Sequence, residues 1–323
     1  MRIYVTGGAG FIGLAVVRRL VARGDRVTAT IRDPTKAGPL RDLGADIRVG
    51  DLSRTATIVE AMRGADTAIH IAGDYRVGIP ARERPVMLDS NVGTTTRVLD
   101  AAETVGLERL VAISTVNVFG DTHGRIVDEK YRRDLADGFL SAYDETKFLS
   151  HRAVEERIAA GKPIVIAQPG VTYGPGDHTA LGSLLRDAYL GKLHYLVLGQ
   201  TGISPAHVDD VAGGIVGALD RGRIGESYVL AGQNLRLHDA LLVSARAGGR
   251  RLPRLRIPDA LMRSAAVIPG GVAKLAGLPE NLAEVIRSSD GVTFWASSAK
   301  AAAELGYRPR DLASGVRAAF GGD

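Results

Sequence analysis

Tyr143 and Lys147 stand four residues apart in "SAYDETKFLS", a spacing that lays a phenol and an ammonium on one face of a helix. An unperturbed phenol, with a pKa of about 10, is a poor proton shuttle near neutrality, and a cation held beside it favours the phenolate. Nine tyrosines and seven lysines in 323 residues would give such a pair by chance about 0.2 times. The pair is a candidate acid–base unit. It does chemistry only if other elements bring a reactive partner to it.

The start of the chain supplies a candidate for that partner. "TGGAGFIG" spaces Gly7, Gly10 and Gly13 three apart. With 40 glycines in the chain, chance alone would produce that spacing about 0.6 times, so position carries the weight. The motif closes a strand-like "RIYVTG" and opens the apolar-periodic "FIGLAVVRRLVARG". At such a junction glycine lets the backbone approach a pyrophosphate, and the free N–H groups of a helix N-terminus bind it. Gly7, Gly10, Phe11, Ile12 and Gly13 are therefore expected to hold a dinucleotide.

An acid at the end of the second strand would hold the ribose diol of NAD(H), but "TATIRDPTK" has Ile31 in that place. Arg32 suits the 2′-phosphate of NADP(H), and Lys36 stands four residues further on. Asp33, before Pro34, is expected to turn the chain away. NADP(H) is favoured and NAD(H) is the alternative, since Arg32 also reads as a solvated loop charge. "GDLS" offers Asp51, beside Leu52, to the adenine amino group, with a helix N-cap as the other role for Asp51.

These residues need elements to position them. After the first strand come "DRVTATI", "DIRVGDL", "DTAIHIAG", "LERLVAISTV" and "KPIVIAQPG", too continuously apolar to keep one wet face. With helical periods between them, they predict an α/β fold, a doubly wound parallel sheet of at least six strands covered by helices on both sides. This Rossmann-type unit is expected over residues 1–171 and 206–234, where "HVDDVAGGIVGALDRG" adds a helix capped by Asp209. Residues 172–205 and 235–323 are broken by turn-rich pieces such as "VTYGPGDHTALGS" and "IPGG". They are expected to form a smaller C-terminal α/β substrate lobe, interleaved with the first unit.

Composition narrows the classes. The formal charge of +5 is scattered, and the dense basic stretch "GGRRLPRLR" lacks interleaved aromatics, so no nucleic-acid partner is expected. The absence of cysteine excludes disulfides, thiolate metal sites and a cysteine nucleophile, and fits a reducing compartment. No metal is expected. No apolar run approaches the roughly 18 residues of a membrane span, and no apolar signal region precedes the first strand. A cytoplasmic enzyme without a membrane partner is expected.

Taken together, "TGGAGFIG", "GDLS", "HIAG", "STVNVFG", "YDETK", "PGVTYGPGD", "HVDDVA" and "SSAKAAAELGYRPR" resemble the extended short-chain dehydrogenase/reductase family, also called the NAD-dependent epimerase/dehydratase family, nearly end to end. "IRDPTK" looks like the cofactor loop of dihydroflavonol 4-reductases, while "HIAGDYRVG" and "GRIGESYVLAGQNLRL" look like hopanoid-associated sugar epimerases. The resemblance implies a catalytic hydroxyl at Thr115. Ser114 is the alternative, because adjacent strand side chains point to opposite faces. It also implies cofactor contacts at Ala72, Gly73, Asn91 and the backbone around Gln168 and Pro169, and a ribose contact from Lys147. His70 reads as a polar strand end bonded to backbone. A homodimer through a helix bundle that includes the Tyr143 helix is implied as well.

The implied reaction interconverts a carbonyl and a secondary alcohol of a small molecule by hydride transfer, with Tyr143 moving the proton and Thr115 bonded to the same oxygen. A nucleotide-sugar epimerase or dehydratase with tightly bound NAD is the alternative. It is weakened because no arginine lies between Lys192 and His207 to meet a diphosphate. A cofactor-sensing regulator that has abandoned catalysis is the third reading, opposed by the retained Tyr/Lys pair. "IPDALMRSAAVIPGGVAKLAG" suits a less polar substrate or else covers the lobe's own core. Arg76, Arg82 and Arg84 keep an anionic substrate in view.

Overall fold

The computed structural model describes residues 1–275 and 278–322. The six foreseen strands form as β1 (Arg2–Thr6), β2 (Arg26–Ile31), β3 (Asp46–Val49), β4 (Thr67–His70), β5 (Arg109–Ile113) and β6 (Ile164–Pro169). Short strands β7 (Thr172–Tyr173), β8 (Gly202–Ile203) and β9 (Ala206–His207) follow, then β10 (Ser227–Leu230) and β11 (Leu235–Arg236). β10 returns to the main sheet and makes it seven-stranded, in the order β10-β6-β5-β4-β1-β2-β3. Every pairing in this sheet is parallel.

Alternation along each strand divides the core into two layers. Ile3, Val5, Ile69 and Val111 face the helices Phe11–Ala22 and Val208–Arg221. Tyr4, Ala68, Leu110 and Ala112 face Thr55–Met62, Thr94–Val105 and Ala142–Ala159. Strands buried on both faces read as unbroken apolar runs, whereas the edge strand β3 carries an exposed Val49. Helix Val208–Arg221 is capped by His207, whose Nδ1 accepts from the Asp209 N–H at 3.2 Å. The expected cap at Asp209 therefore lies two residues too late.

The strand order reverses between β1 and β4, so their connections leave in opposite directions and a crevice opens at their carboxyl ends. Beyond it, helices Ala180–Leu190, Leu237–Ala247 and Leu312–Phe320 pack around Tyr173, Leu185, Leu241 and Phe320. β8 and β11 make a small antiparallel ribbon. The Trp295 indole donates to the Leu235 carbonyl at 3.1 Å, with the Arg236 guanidinium 4.7 Å above its ring. The apolar stretch 257–277 forms two short helices, Asp259–Ala265 and Gly270–Leu275. Leu261, Val267, Val272 and Leu275 are exposed, so these side chains do not cover the lobe's own core. Residues 276 and 277 of that stretch, and the terminal residue 323, lie outside the described residues. No helix among the described residues is long and apolar enough to cross a membrane.

Candidate active site

Backbone shape builds the first wall of the crevice. Gly7 has φ +71, and a Cβ there would sit 2.7 Å from the Ala72 nitrogen; a Cβ on Gly13 would sit 2.0 Å from the Gly7 carbonyl oxygen. No other residue fits either place without moving backbone. The Gly10 N–H closes the turn onto the Gly7 carbonyl at 3.0 Å. Helix Phe11–Ala22 then begins with no side-chain cap and no acid in its first turn. Its leading N–H groups are left to an anion. This cradle, which any Cβ would fill, fits the pyrophosphate of a dinucleotide.

A buried chain of hydroxyls holds the opposing loop against the cradle. The Ile71 and Ala72 N–H groups donate to Thr6 Oγ1 at 3.2 and 3.3 Å, and Thr6 Oγ1 lies 2.7 Å from His70 Nδ1. His70 Nε2 lies 3.0 Å from Thr95 Oγ1, whose own proton goes to the Asn91 carbonyl at 2.7 Å. Nε2 must therefore donate to Thr95, and Nδ1 accepts from Thr6. Burial brings His70 down to about 3 and keeps it neutral. Its partners are side-chain hydroxyls, where backbone was expected.

The other expected cofactor contacts separate into two groups. Ala72, Gly73 and Pro169 line the crevice with Gly7, Gly10, Phe11, Ile12 and Gly13. Asn91 does not: its amide accepts from the Asp74 N–H at 2.7 Å and donates to the Asp74 carbonyl at 3.0 Å and to Thr146 Oγ1 at 2.9 Å. It acts on the site by fixing the loop that follows β4. Gln168 is buried in β6 and leaves its Nε2 without a partner, outside the crevice lining.

At the β2 end, Asp33 accepts from Thr35 N–H at 3.0 Å and from its hydroxyl at 2.6 Å, capping the turn that starts at Pro34. Arg32 is exposed and makes no hydrogen bond or ion pair among the described residues. Lys36 lines the wider cavity described below. Asp51 accepts from Ser53 N–H at 3.0 Å and Ser53 Oγ at 2.9 Å. The following helix is capped at Arg54, so Asp51 closes a turn and caps no helix. Leu52 is partly buried, and its carbonyl accepts from Arg97 at 2.8 Å.

The acid–base pair sits on the first turns of helix Ala142–Ala159, whose N-cap Ser141 accepts from the Asp144 N–H at 3.1 Å. Asp144 is buried against Arg133, at 2.7 Å, and also accepts the Leu140 N–H at 2.9 Å. One helical turn apart, Tyr143 and Lys147 both face the crevice. Lys147 Nζ donates to the Ile113 carbonyl at 3.0 Å, and desolvation brings it down to about 8. Tyr75 meets the Tyr143 ring edge-on, with centroids 4.7 Å apart. Burial pushes the Tyr143 phenol up, with the Thr115 hydroxyl working the other way. The phenol is thus raised by its burial, where the pairing was expected to lower it.

The two candidate hydroxyls diverge. Thr115 Oγ1 donates to Asn117 Oδ1 at 3.1 Å and accepts from the Asn117 N–H at 3.2 Å. Ser114 Oγ turns to His151 Nδ1 at 2.9 Å. The crevice has a volume of about 360 Å³ and opens past Phe11, Tyr75 and Thr179 into a wider cavity of about 1180 Å³. Tyr75 and Asn117 were missed in the sequence. Both lie inside quoted motifs, "HIAGDYRVG" and "STVNVFG", and nothing in their own spacing marks them.

A glycine cradle at the switch point of a parallel sheet defines an NAD(P)-dependent oxidoreductase of the Rossmann type. The chain belongs to the NAD-dependent epimerase/dehydratase family, whose sequence model matches residues 3–231; it is an extended short-chain dehydrogenase/reductase. A Synechocystis protein provisionally named a dihydroflavonol 4-reductase is 29% identical over 79% of this chain and 75% of its own length. The 4-hydroxy-2-methyl-3-oxo-4-farnesyl-3,4-dihydroquinoline-1-oxide ketoreductase of Stigmatella aurantiaca is 29% identical over 96% of this chain and 92% of its own. The crystal structure of gox2253, 31% identical, superimposes with a TM-score of 0.84 over 99% of this chain and 96% of its own.

Proposed function

We propose that this enzyme uses NADPH to reduce a largely apolar ketone or aldehyde to an alcohol, and runs the reverse reaction with the oxidised cofactor. The observation that carries this reading is the single crevice in which the glycine cradle meets Thr115, Tyr143 and Lys147. When bound, the reduced nicotinamide supplies hydride to the carbonyl carbon. Tyr143 gives its proton to the carbonyl oxygen, and the Thr115 hydroxyl, released from Asn117, hydrogen-bonds the same oxygen. Lys147 holds positive charge beside the phenolate and offers a hydrogen bond to the nicotinamide ribose. Gly7 to Gly13 receive the pyrophosphate, and Arg32 with Lys36 takes the 2′-phosphate. Although the charged Arg18, Arg76, Lys274 and Glu280 also line the wider cavity, its apolar part, Tyr75, Val77, Ile79, Pro175, Leu278 and Val285, supports an apolar substrate. So does the ketoreductase relative, whose name carries a farnesyl group.

Incubation with NADPH and a panel of ketones, aldehydes and nucleotide sugars tests this. Stoichiometric loss of the reduced-nicotinamide absorbance with an apolar ketone is expected. Copurified NAD together with interconversion of two nucleotide sugars, without net cofactor consumption, would establish the epimerase reading instead. A homodimer is proposed as well. Helices Arg84–Leu88 and Ala142–Ala159 pack together and leave Val86, Leu88 and Leu149 exposed, and a monomer in sedimentation at micromolar concentration would refute it.

A further inference from the structure

Tyr143 is packed against Ile79 and Met87, and Tyr75 meets its ring edge-on with centroids 4.7 Å apart. Tyr75 and Ile79 belong to one loop, the stretch that follows β4, and Gly78 lies between them. Asn91 fixes that loop at Asp74. Across Tyr75, Arg76 and Val77 the backbone makes no hydrogen bond among the described residues, so the next fixed point is Gly78. Both of its backbone groups are taken by the smaller lobe. Its N–H donates to Glu284 Oε1 at 3.1 Å, and its carbonyl accepts from the Asn281 N–H at 3.1 Å. Gly78 has φ +78, and a Cβ there would sit 2.7 Å from Val285 Cγ2 and 2.9 Å from Pro279 Cβ. Loop and lobe are pressed together at this one residue.

We propose that Glu284 is a positioning residue for the proton donor: through the Gly78 peptide it holds Tyr75 and Ile79 against Tyr143, so that the smaller lobe sets where the phenol stands. The inference rests on the functional reading above, in which Tyr143 gives its proton to the carbonyl oxygen. Glu284 lines neither the crevice nor the wider cavity, whereas Gly78, Pro279 and Val285 line the latter. It acts on the reaction only through what it holds. That is enough to matter, because a reacting group misplaced by about 1 Å can lose ~10²-fold in rate.

The surroundings suit the task. Glu284 is buried on the short helix Leu282–Arg287. Its second carboxylate oxygen accepts from Asn281 Nδ2 at 3.1 Å and from Arg84 at 3.3 Å, and Asn281 Oδ1 caps the helix by accepting the Glu284 N–H at 3.2 Å. At the other end of that helix Arg287 Nε donates to the Leu140 carbonyl at 3.0 Å, one residue before Ser141, which caps the helix of Tyr143. One lobe helix therefore grips both segments that place the phenol. Arg82 also reaches the lobe, at Glu280 and 3.0 Å, but it is exposed, and exposed pairs hold little. A backbone N–H bonded to a buried carboxylate holds more, and losing the acceptor strands a buried donor.

Two variants separate reach from charge. Glu284→Asp keeps the charge beside Arg84 but draws the carboxylate back from the Gly78 N–H; Glu284→Gln keeps the reach and an acceptor oxygen but loses the charge. In the substrate-free protein, amide hydrogen exchange read by mass spectrometry should speed up ~10-fold or more over residues 74–83 in Glu284→Asp, with β1, β4 and β5 unchanged, and stay near wild type in Glu284→Gln. In NADPH-dependent reduction of 9,10-phenanthrenequinone, Glu284→Asp should lower kcat by ~10-fold or more and leave the KM for NADPH unchanged, while Glu284→Gln should keep most of the turnover. Added to Tyr143→Phe, Glu284→Asp should change the residual kcat by less than ~2-fold, since it acts through the proton already removed. Unchanged exchange over 74–83 in Glu284→Asp, a slow Glu284→Gln beside a normal Glu284→Asp, or losses that multiply in the double variant overturn the positioning role alone. Wild-type turnover in Tyr143→Phe overturns the functional reading and the positioning role with it.

Discussion

Replacing Lys147 with Met should make the protein more stable at neutral pH while abolishing its proposed chemistry. Desolvation lowers the ammonium from its ordinary 10.5 to about 8, a shift worth about 3 kcal/mol at roughly 1.4 kcal/mol per unit. A lysine lowered in this way weakens the fold wherever both states are protonated, which means below the folded value. At pH 7 almost the whole penalty applies. As pH rises through about 8, the folded protein releases the proton and the unfolded chain keeps it until about 10.5. The penalty then fades to about 1 kcal/mol at pH 9.5. Methionine matches the length of the side chain but loses the bond to the Ile113 carbonyl, worth about 1 to 2 kcal/mol. The net gain at pH 7 is therefore about 1 to 2 kcal/mol, a Tm rise of about 2 °C in a chain of this size. Thermal unfolding of both proteins, without cofactor, at pH 7 and 9.5 measures it. A variant less stable at pH 7, or a difference that does not shrink at the higher pH, would show that Lys147 is not held against its own solvation.

Four further outcomes follow from the same geometry. Tyr143→Phe should lower kcat by ~10²-fold or more and leave NADPH affinity intact, since only the proton is removed; steady-state kinetics and a fluorescence titration separate the two terms. Arg32→Ala should raise KM for NADPH well above any change for NADH, and equal changes would remove Arg32 from 2′-phosphate recognition. Gly13→Ala drives a methyl into the Gly7 carbonyl; calorimetry should show a loss of about 1 to 3 kcal/mol, with NADPH binding weakened at least ~10-fold. Asp144→Ala strands the buried Arg133 guanidinium, and urea unfolding should register a loss of about 3 to 5 kcal/mol.

Local pattern made the sheet legible where strands are buried on both faces. β1, β4 and β6 carry unbroken apolar runs, and the glycines that follow β1 announce a turn that only glycine can make. β10 was missed because its place beside β6 depends on a connection no local pattern reveals. The Tyr143/Lys147 spacing was visible because it lies within one helix. The electrostatics around it were not: the phenol is raised by burial, and it is packed against Ile79 and Met87 with Tyr75 edge-on to its ring, all far away in sequence. Asn91 shows the same limit. Its residue type suited a ligand contact, yet the fold engages its amide with Asp74 and Thr146, and no spacing in the chain announces those partners.

Trp295 is the chain's sole indole, and it is anchored to the β8/β11 ribbon between the Leu235 carbonyl and Arg236. Its emission therefore reports on that ribbon alone, whereas far-ultraviolet dichroism is dominated by the seven-stranded sheet and its helices. The molecule thus carries its own two-channel reporter. Coincident midpoints in the two signals would mean that ribbon and sheet melt as one cooperative unit, and an earlier loss of indole emission would mean that the ribbon yields first while the nucleotide cradle still stands.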